Sequence, residues 1–186
     1  QDFGKLRSII ELLTPGLVFT ADGEPYRRAI EAVVPREVEV VVARNPLASR
    51  PTTLLQALLT PTASVAVDPA HAQVGPDTIV KFLFTSGSTG TPKAVINTQR
   101  MLTSSQQAKA QTWTFLEDIG EGLVILDWLP WSHTFGANHN FNLVLRNGGT
   151  LYVDGGKPAP GLFATSLSNL RSVMPTVYFN VPRGFD

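Results

Sequence analysis

Residues 79–97 have the sequence IVKFLFTSGSTGTPKAVIN, and this stretch decides the fold. Its two apolar runs, residues 79–84 and 94–97, have the β-branched and aromatic character of strands. Only nine residues separate these runs, fewer than the dozen or more that a crossover between parallel strands requires. We therefore predict a β-hairpin whose connecting loop, residues 85–93, is rich in glycine, serine and threonine.

The loop of this hairpin has the composition of a phosphate-binding site. It holds five hydroxyl side chains and two glycines ahead of a lysine. Glycine lets the backbone approach a ligand closely, and successive N–H groups and hydroxyls donate to phosphate oxygens. The ammonium of the lysine supplies a compact positive charge. The predicted phosphate ligands are Thr85, Ser86, Gly87, Ser88, Thr89, Gly90, Thr91 and Lys93.

Two common nucleotide-binding loops do not fit this segment. A Walker A loop has glycine directly before its lysine, serine or threonine directly after it, and a helix beyond. Here Pro92 precedes Lys93, Ala94 follows it, and the next residues are those of a strand. The dinucleotide pattern G-x-G-x-x-G does not occur in the sequence either. The loop therefore belongs to neither class.

Strands and helices alternate on both sides of the hairpin. Apolar residues at helical or strand spacing mark each element, and glycine and proline separate the elements. The predicted helices are residues 6–13, 26–33, 54–59, 99–116, 135–145 and 162–173. The predicted strands are residues 17–19, 38–42, 65–67, 79–84, 94–97, 123–126, 150–153 and 176–179, with a linker at 68–77. This order predicts an α/β fold around a mainly parallel sheet.

The charge and composition of the chain exclude several classes of protein. Fifteen Lys and Arg residues balance fifteen Asp and Glu residues, whereas a nucleic-acid-binding or polybasic membrane-surface protein carries a basic patch. Because the chain has no cysteine, disulfides and thiolate-based metal sites are excluded. Its most apolar stretch, residues 123–131, is far shorter than a membrane span. We expect a cytoplasmic protein without nucleic-acid or membrane partners; the oligomeric state is open.

Four segments of the chain resemble motifs of the adenylate-forming superfamily, which contains acyl- and aryl-CoA synthetases, luciferases and the adenylation domains of peptide synthetases. Residues 85–93 resemble its phosphate-binding signature, although the family usually has glycine where this chain has Ala94. Residues 128–136, WLPWSHTFG, resemble its Leu-Pro-x-x-His-x-x-Gly segment. Residues 147–153 and 175–182 match further segments in the usual order. The resemblance implies the large N-terminal domain of an acyl-CoA synthetase.

The resemblance also implies a two-step reaction that uses ATP, Mg²⁺ and coenzyme A. A small carboxylic acid first displaces pyrophosphate from ATP to give an acyl-adenylate, and the thiol of coenzyme A then displaces AMP. Residues 85–93 would hold the β- and γ-phosphates, Lys93 would stabilise the leaving pyrophosphate, and Mg²⁺ would arrive with ATP. His133 would lie beside the carboxylate and the α-phosphate; a structural histidine near a helix start is the alternative for it.

Residues 133–142 and 178–185 most resemble bacterial feruloyl-CoA synthetases, which act on hydroxycinnamic acids from plant phenolics. The resemblance therefore implies an aromatic acid such as ferulate. The residues implied to line its pocket are His133, Phe135, Asn138, Tyr178 and Asn180. Packing in the core is an equal alternative for Phe135 and Tyr178. We assign His139 a structural or supporting role, since its spacing from the preceding histidine is not that of a helical metal-binding pair.

The chain is expected to be one part of a longer enzyme, because the family's later motifs do not occur in it. We predict a partial N-terminal AMP-binding domain over residues 1–186, with a first α/β part at 1–70 and the phosphate loop and substrate gate at 71–186. The C-terminal domain would be absent, and the chain alone would lack adenylation activity. Two alternatives stay open: an adenylation domain or luciferase-like enzyme that does not use coenzyme A, and a nucleotide-binding module without catalysis.

Overall fold

The computed structural model of the protein describes residues 2–59, 67–85 and 92–185. These residues divide into two compact units, each with its own buried core. The first unit contains the described residues up to Gln73, together with Pro92 and Lys93. The second contains Val74–Thr85 and continues from Ala94. Within these ranges, no helix combines the length and the apolar character that crossing a membrane would require.

The first unit is built on a three-stranded parallel sheet. Its strands, in order across the sheet, are β1 (Leu17–Asp22), β2 (Glu39–Arg44) and β3 (Thr53–Leu54). Its helices are α1 (Gly4–Leu13), α2 (Gly23–Val33), α3 (Leu55–Leu58) and α4 (Val67–Ala72). Val40 and Val42 of β2 are buried against Ile30 and Val33 of α2. Burial of each such side chain stabilises the folded state by about 1.5–3 kcal/mol, so this contact fixes α2 on the sheet.

The second unit contains two pairs of strands. Strand β4 (Ile79–Thr85) pairs with β5 (Lys93–Thr98), and β6 (Val124–Asp127) pairs in parallel with β7 (Thr150–Val153). Its helices are α5 (Gln99–Thr112), α6 (Phe115–Ile119), α7 (Asn142–Asn147) and α8 (Phe163–Val173), and a π-helix spans Phe135–Phe141. The wholly buried Leu123, Ile125 and Leu143 form the core with Leu116. The apolar run of β6 is therefore central to this unit.

The predicted α/β architecture with parallel strands is confirmed. The helix predicted over residues 99–116 is divided into α5 and α6, and the one over 135–145 begins as the π-helix. Residues 176–179 were expected as a strand, but they contribute only a parallel bridge from Val177 to Ile125. The hydroxyl of Thr176 accepts the N–H of the first residue of β6, and this side-chain bond replaces a regular ladder pair.

The strand predicted at residues 65–67 is wrong for Val67, which begins α4; residues 65 and 66 lie outside the described part of the chain. The linker predicted from residue 68 is likewise wrong over the rest of this helix. The apolar run at this point is too short for its period to distinguish a strand from a helix. Asp68 lies in the first turn of α4, where its charge is favourable to the helix dipole.

Candidate functional site

Paired strands hold the two ends of the predicted phosphate loop. Thr85 is the last residue of β4 and Lys93 is the first residue of β5. Both side chains are exposed, so a ligand can reach the hydroxyl and the ammonium. The predicted ligands between them, Ser86, Gly87, Ser88, Thr89, Gly90 and Thr91, lie outside the described residues.

The second motif, residues 128–136, is a tight turn that leads into the π-helix. The N–H of His133 donates to the carbonyl oxygen of Pro130 at 3.0 Å, and the N–H of Ala137 donates to that of His133 at 3.0 Å. A Cβ added to Gly136 would lie 2.7 Å from the Pro130 oxygen, so only glycine allows the helix to approach the turn this closely. π-Helical turns are rare and frequently occur at functional sites.

The imidazole of His133 is exposed at the start of the π-helix. Its Nδ1 accepts the backbone N–H of Phe135 at 3.2 Å. Since a ring nitrogen that accepts a hydrogen bond carries no proton, the ring proton of His133 is on Nε2. The side chain therefore presents a hydrogen-bond donor to solvent, and a donor suits a carboxylate or phosphate oxygen.

Three aromatic rings surround the imidazole of His139 in the π-helix. Its ring centroid lies 4.8 Å from that of Phe179, 5.2 Å from that of Phe135 and 5.6 Å from that of Trp113. All four side chains are half-buried, and we call them the aromatic cluster. Burial lowers the pKa of His139, so its ring is neutral at neutral pH.

A buried chain of hydrogen bonds leads to the aromatic cluster from β6. Oδ1 of Asp127 accepts the side-chain amide of Asn140 at 3.0 Å and the N–H of Leu129 at 3.1 Å. Oδ1 of Asn140 in turn lies 2.8 Å from Nδ1 of His139. Burial raises the pKa of Asp127, and these hydrogen bonds oppose that rise only in part. Oδ2 of Asp127 is buried and has no partner among the residues that the structure describes.

Asn138 connects the π-helix to the hairpin strand β5. Its side-chain amide donates to Oδ1 of Asn97 in β5 at 2.7 Å. Its backbone carbonyl accepts the side-chain amide of Gln106 in α5 at 2.9 Å. The side chain that was predicted to line the acyl pocket is therefore engaged with β5, and it fixes the π-helix relative to the strand that follows the phosphate loop.

Tyr178 and Asn180, the other two predicted pocket residues, contact each other. The side-chain amide of Asn180 donates to the phenol oxygen of Tyr178 at 3.0 Å, and its Oδ1 accepts the indole N–H of Trp128 at 3.1 Å. The ring of Tyr178 packs against Phe185 at 6.0 Å. Within the described chain, no ring contact joins Tyr178 to the aromatic cluster; Phe179 makes that contact instead.

Trp113 and Phe179 were not predicted as site residues, and His139 was not predicted to lie among aromatic rings. Two signals could have found them. His139 follows Phe135 by four residues, a spacing that puts both on one side of a helix. Phe179 alternates with Tyr178 along an extended segment, where successive side chains point to opposite sides. Only one of the two rings could therefore meet Phe135.

Beyond β7, the carboxylate of Asp154 organises the loop that leads to α8. It accepts the N–H of Gly156, the amide of Asn169 and the hydroxyl of Ser166, each at 2.7 Å. Burial by itself raises the pKa of Asp154, but these three hydrogen bonds outweigh it, so the pKa lies below its ordinary value. Ser166 also lines a small cavity of about 50 Å³ with Tyr178 and Asn180, so this loop supports that side of the site.

Replacing Asp154 with asparagine is expected to lower the free energy of unfolding by roughly 1–3 kcal/mol at pH 7. The amide nitrogen that replaces one carboxylate oxygen cannot accept the hydrogen bonds made to that oxygen. A depressed carboxyl pKa gives stability that is complete above the ordinary value near 3.9 and is lost as the pH falls through the folded-state value. The difference between the two proteins should therefore shrink at acid pH. Urea unfolding between pH 7 and pH 3 measures the free energy of unfolding of both proteins, and Asp118→Asn, at an exposed position, is the control. If the difference in unfolding free energy stayed constant over this range, the depressed pKa of Asp154 would be wrong.

Comparison with known proteins gives a consistent family match. A sequence model of the family described as "AMP-binding enzyme" matches residues 4–186. The hybrid PKS-NRPS synthetase fsa1 of a Fusarium species is 39% identical over 83 residues, which are 45% of this chain and 2% of that protein. The long-chain-fatty-acid–CoA ligase ACSBG2 of Gallus gallus is 30% identical over 108 residues, which are 58% of this chain and 14% of the ligase.

The fold is also found among solved structures. The crystal structure of ATP-bound MatB from Rhodopseudomonas palustris superposes with a TM-score of 0.70 at 21% identity. The match covers 100% of this chain and 33% of the MatB chain. The chain thus has the fold of part of that protein, and it spans well under half the length of each of these relatives.

Proposed function

Because this chain belongs to the AMP-binding enzyme family, we propose that it is part of an ATP-dependent acid–CoA ligase. The enzyme activates a carboxylic acid as an acyl-adenylate and transfers the acyl group to coenzyme A, with release of pyrophosphate and AMP. The family match over residues 4–186 carries the proposal. The similarity to a fatty-acid–CoA ligase supports coenzyme A as the acceptor.

The first step concentrates negative charge on the triphosphate. A carboxylate oxygen attacks the α-phosphorus, and the bond from that phosphorus to the bridging oxygen breaks, so pyrophosphate leaves with the electron pair. Thr85, Lys93 and the loop between them donate to the β- and γ-phosphates, and Lys93 stabilises the leaving group. Mg²⁺, bound through the phosphate oxygens, would supply further positive charge to them.

In the second step the sulfur of coenzyme A attacks the acyl carbon, the bond from that carbon to the AMP oxygen breaks, and AMP leaves. The donor that His133 presents through Nε2 is suited to an oxygen of the acid or of the α-phosphate. Its exposure allows these groups to reach it. We therefore place the reacting carboxylate next to His133.

The proposed acid is aromatic, with ferulate as the example. The aromatic cluster supports this choice, because three rings and an imidazole stand half-buried within the same π-helix and its neighbours. Stacked and edge-to-face ring contacts favour an aryl group over a flexible alkyl chain. Phe135 and Phe179, with ring centroids 6.3 Å apart, are the proposed contacts for the aryl ring.

Acid-dependent ATP–pyrophosphate exchange by the complete enzyme tests this function. The acids are ferulate, 4-coumarate, benzoate and a long-chain fatty acid, each assayed with and without coenzyme A. We expect the highest kcat/KM with the hydroxycinnamates and a thioester product only when coenzyme A is present. Indifference to the aromatic acids would rule out the proposed substrate class, and the absence of any acid-dependent exchange would leave only a nucleotide-binding module.

A second candidate is an adenylation enzyme that does not use coenzyme A. The 39% identity with a hybrid PKS-NRPS synthetase favours it, since this exceeds the identity with the fatty-acid–CoA ligase. The two functions share the first step and differ in the acceptor. Normal exchange without thioester formation, followed by acyl transfer to a carrier-protein thiol, would select this second function.

A further inference from the structure

The segment that carries His133 is held at both of its ends by one side chain. Asp127 is the last residue of β6 and is 3% exposed. Its Oδ1 accepts the backbone N–H of Leu129 at 3.1 Å and the side-chain amide of Asn140 at 3.0 Å. Asn140 is itself wholly buried within the π-helix. A single carboxylate oxygen therefore joins the start of the turn to the helix that follows it.

Backbone hydrogen bonds connect these two contacts to His133. Its N–H donates to the carbonyl oxygen of Pro130, and its own carbonyl accepts the N–H of Ala137, both at 3.0 Å. The first bond leads to the turn and the second to the π-helix, the two parts that Asp127 joins. Because the imidazole is exposed and accepts an N–H of its own turn, the main chain decides where it points.

The two oxygens of the Asp127 carboxylate differ in what they contact. Oδ1 accepts both hydrogen bonds, whereas Oδ2 is buried without a partner in the part of the chain that the structure describes. Burial of an unpaired carboxylate oxygen opposes folding, so Oδ2 adds nothing to the stability of the turn. An asparagine could accept the same two hydrogen bonds through its carbonyl oxygen and would bring no charge. The acceptor and the charge of Asp127 can therefore be tested separately.

We propose that Asp127 is a positioning residue for His133, and that its Oδ1 sets the place from which the imidazole binds the reacting carboxylate. The inference rests on the proposed function, which puts that carboxylate next to His133. Asp127 is buried, so it acts through the segment that it holds and not on the substrate. Misplacement of a binding group by about 1 Å can lower a rate by as much as about 100-fold, so the loss of Oδ1 should be measurable.

The test measures KM for the acid and KM for ATP in ATP–pyrophosphate exchange by the complete enzyme. The acid is whichever of ferulate, 4-coumarate, benzoate and a long-chain fatty acid the wild type uses best. A KM does not depend on the folded fraction of a preparation. Asp127→Ala should raise KM for the acid about tenfold and change KM for ATP less than about twofold. Asp127→Asn, which keeps the acceptor, should stay within about twofold of the wild type for both.

A double-mutant cycle with His133→Ala shows whether Asp127 acts through His133. If it does, each single variant raises KM for the acid, and the double variant raises it hardly further than His133→Ala alone. Asp154→Ala is the matched control, because Asp154 is another buried carboxylate of this unit and its side chain bonds to Ser166 and Asn169 instead. Its effect on KM should add to that of His133→Ala.

Additive effects of Asp127→Ala and His133→Ala would overturn the inference, and so would an unchanged KM for the acid in either variant. An Asp127→Asn enzyme as impaired as Asp127→Ala would also overturn it, since the charge would then be what matters. If Asp127→Ala does not fold, Asn140→Ala, which removes one of the two bonds, takes its place in the cycle. All these outcomes leave the proposed function standing. If no acid supports exchange by the wild type, the proposed function fails and the inference fails with it.

Discussion

Replacing Lys93 with alanine in the complete enzyme is expected to lower kcat/KM for acid-dependent ATP–pyrophosphate exchange by roughly 10- to 200-fold. The change removes one charge-assisted hydrogen bond to the triphosphate, and such a bond contributes about 1.5–3 kcal/mol. Lys93 is exposed at the first position of β5, so its removal should change the stability of the fold little. Steady-state exchange kinetics and a thermal unfolding curve measure the two quantities separately.

Lys5 of α1 provides a matched control for this experiment. It is also an exposed lysine within a regular element, but it lies outside any proposed ligand contact. Lys5→Ala should leave kcat/KM unchanged. If Lys93→Ala also leaves it unchanged, the phosphate-binding role of the hairpin is wrong.

Replacing Arg50 with methionine is expected to lower the free energy of unfolding of the first unit by about 3 kcal/mol. The Arg50 side chain is 7% exposed, and its guanidinium donates to four backbone carbonyls at 2.6–3.3 Å. These carbonyls belong to Val34, Pro35, Arg36 and Val38. They follow the C-terminus of α2, where partial negative charge accumulates. Methionine would leave the carbonyl of the buried Val34 and that of the half-buried Val38 without the donors that Arg50 supplies.

Amide hydrogen exchange of the buried β2 residues Val40–Val42 reports the stability of this unit, because these amides exchange through its unfolding. Arg36→Met is the matched control. Its guanidinium makes one exposed hydrogen bond to the carbonyl of Ser49, at 2.9 Å, so its loss should cost a few tenths of a kcal/mol. If the two variants lowered the free energy of unfolding equally, Arg50 would be acting only as a surface charge.

Much of the fold follows from local sequence patterns. The alternation of apolar runs with glycine and proline predicted the parallel strands, and the hairpin followed from the short connection between β4 and β5. Arg50 could not be predicted in the same way. An arginine in a polar loop is normally solvated, and only the return of the chain past the end of α2 brings its guanidinium to four carbonyls.

The sequence predicted candidate site residues but not the contacts that they make in the structure. His133 and Phe135 were identified from their motif, and the structure brings Phe135 together with His139 and Phe179. Hydrophobic spacing gave a helix at this position but not its π-helical form, because a period of 3.6 residues fits the sequence almost as well. The hydrogen bonds that connect His139 through Asn140 to Asp127 reach back twelve residues, and no local pattern encodes them.

The π-helix over Phe135–Phe141 makes the contacts of the aromatic cluster depend on the length of this segment. Its hydrogen bonds connect residues five apart, so it corresponds to an α-helix that has gained one residue. Deleting one residue from it would restore the α-helical ladder and leave the flanking residues in register, so the side chains within the π-helix would move. His139 lies within this segment, so its contacts with the three aromatic rings would change, whereas His133 precedes the segment and would stay in place. In this protein, a change of backbone register would thus rearrange the aromatic cluster without any exchange of its side chains.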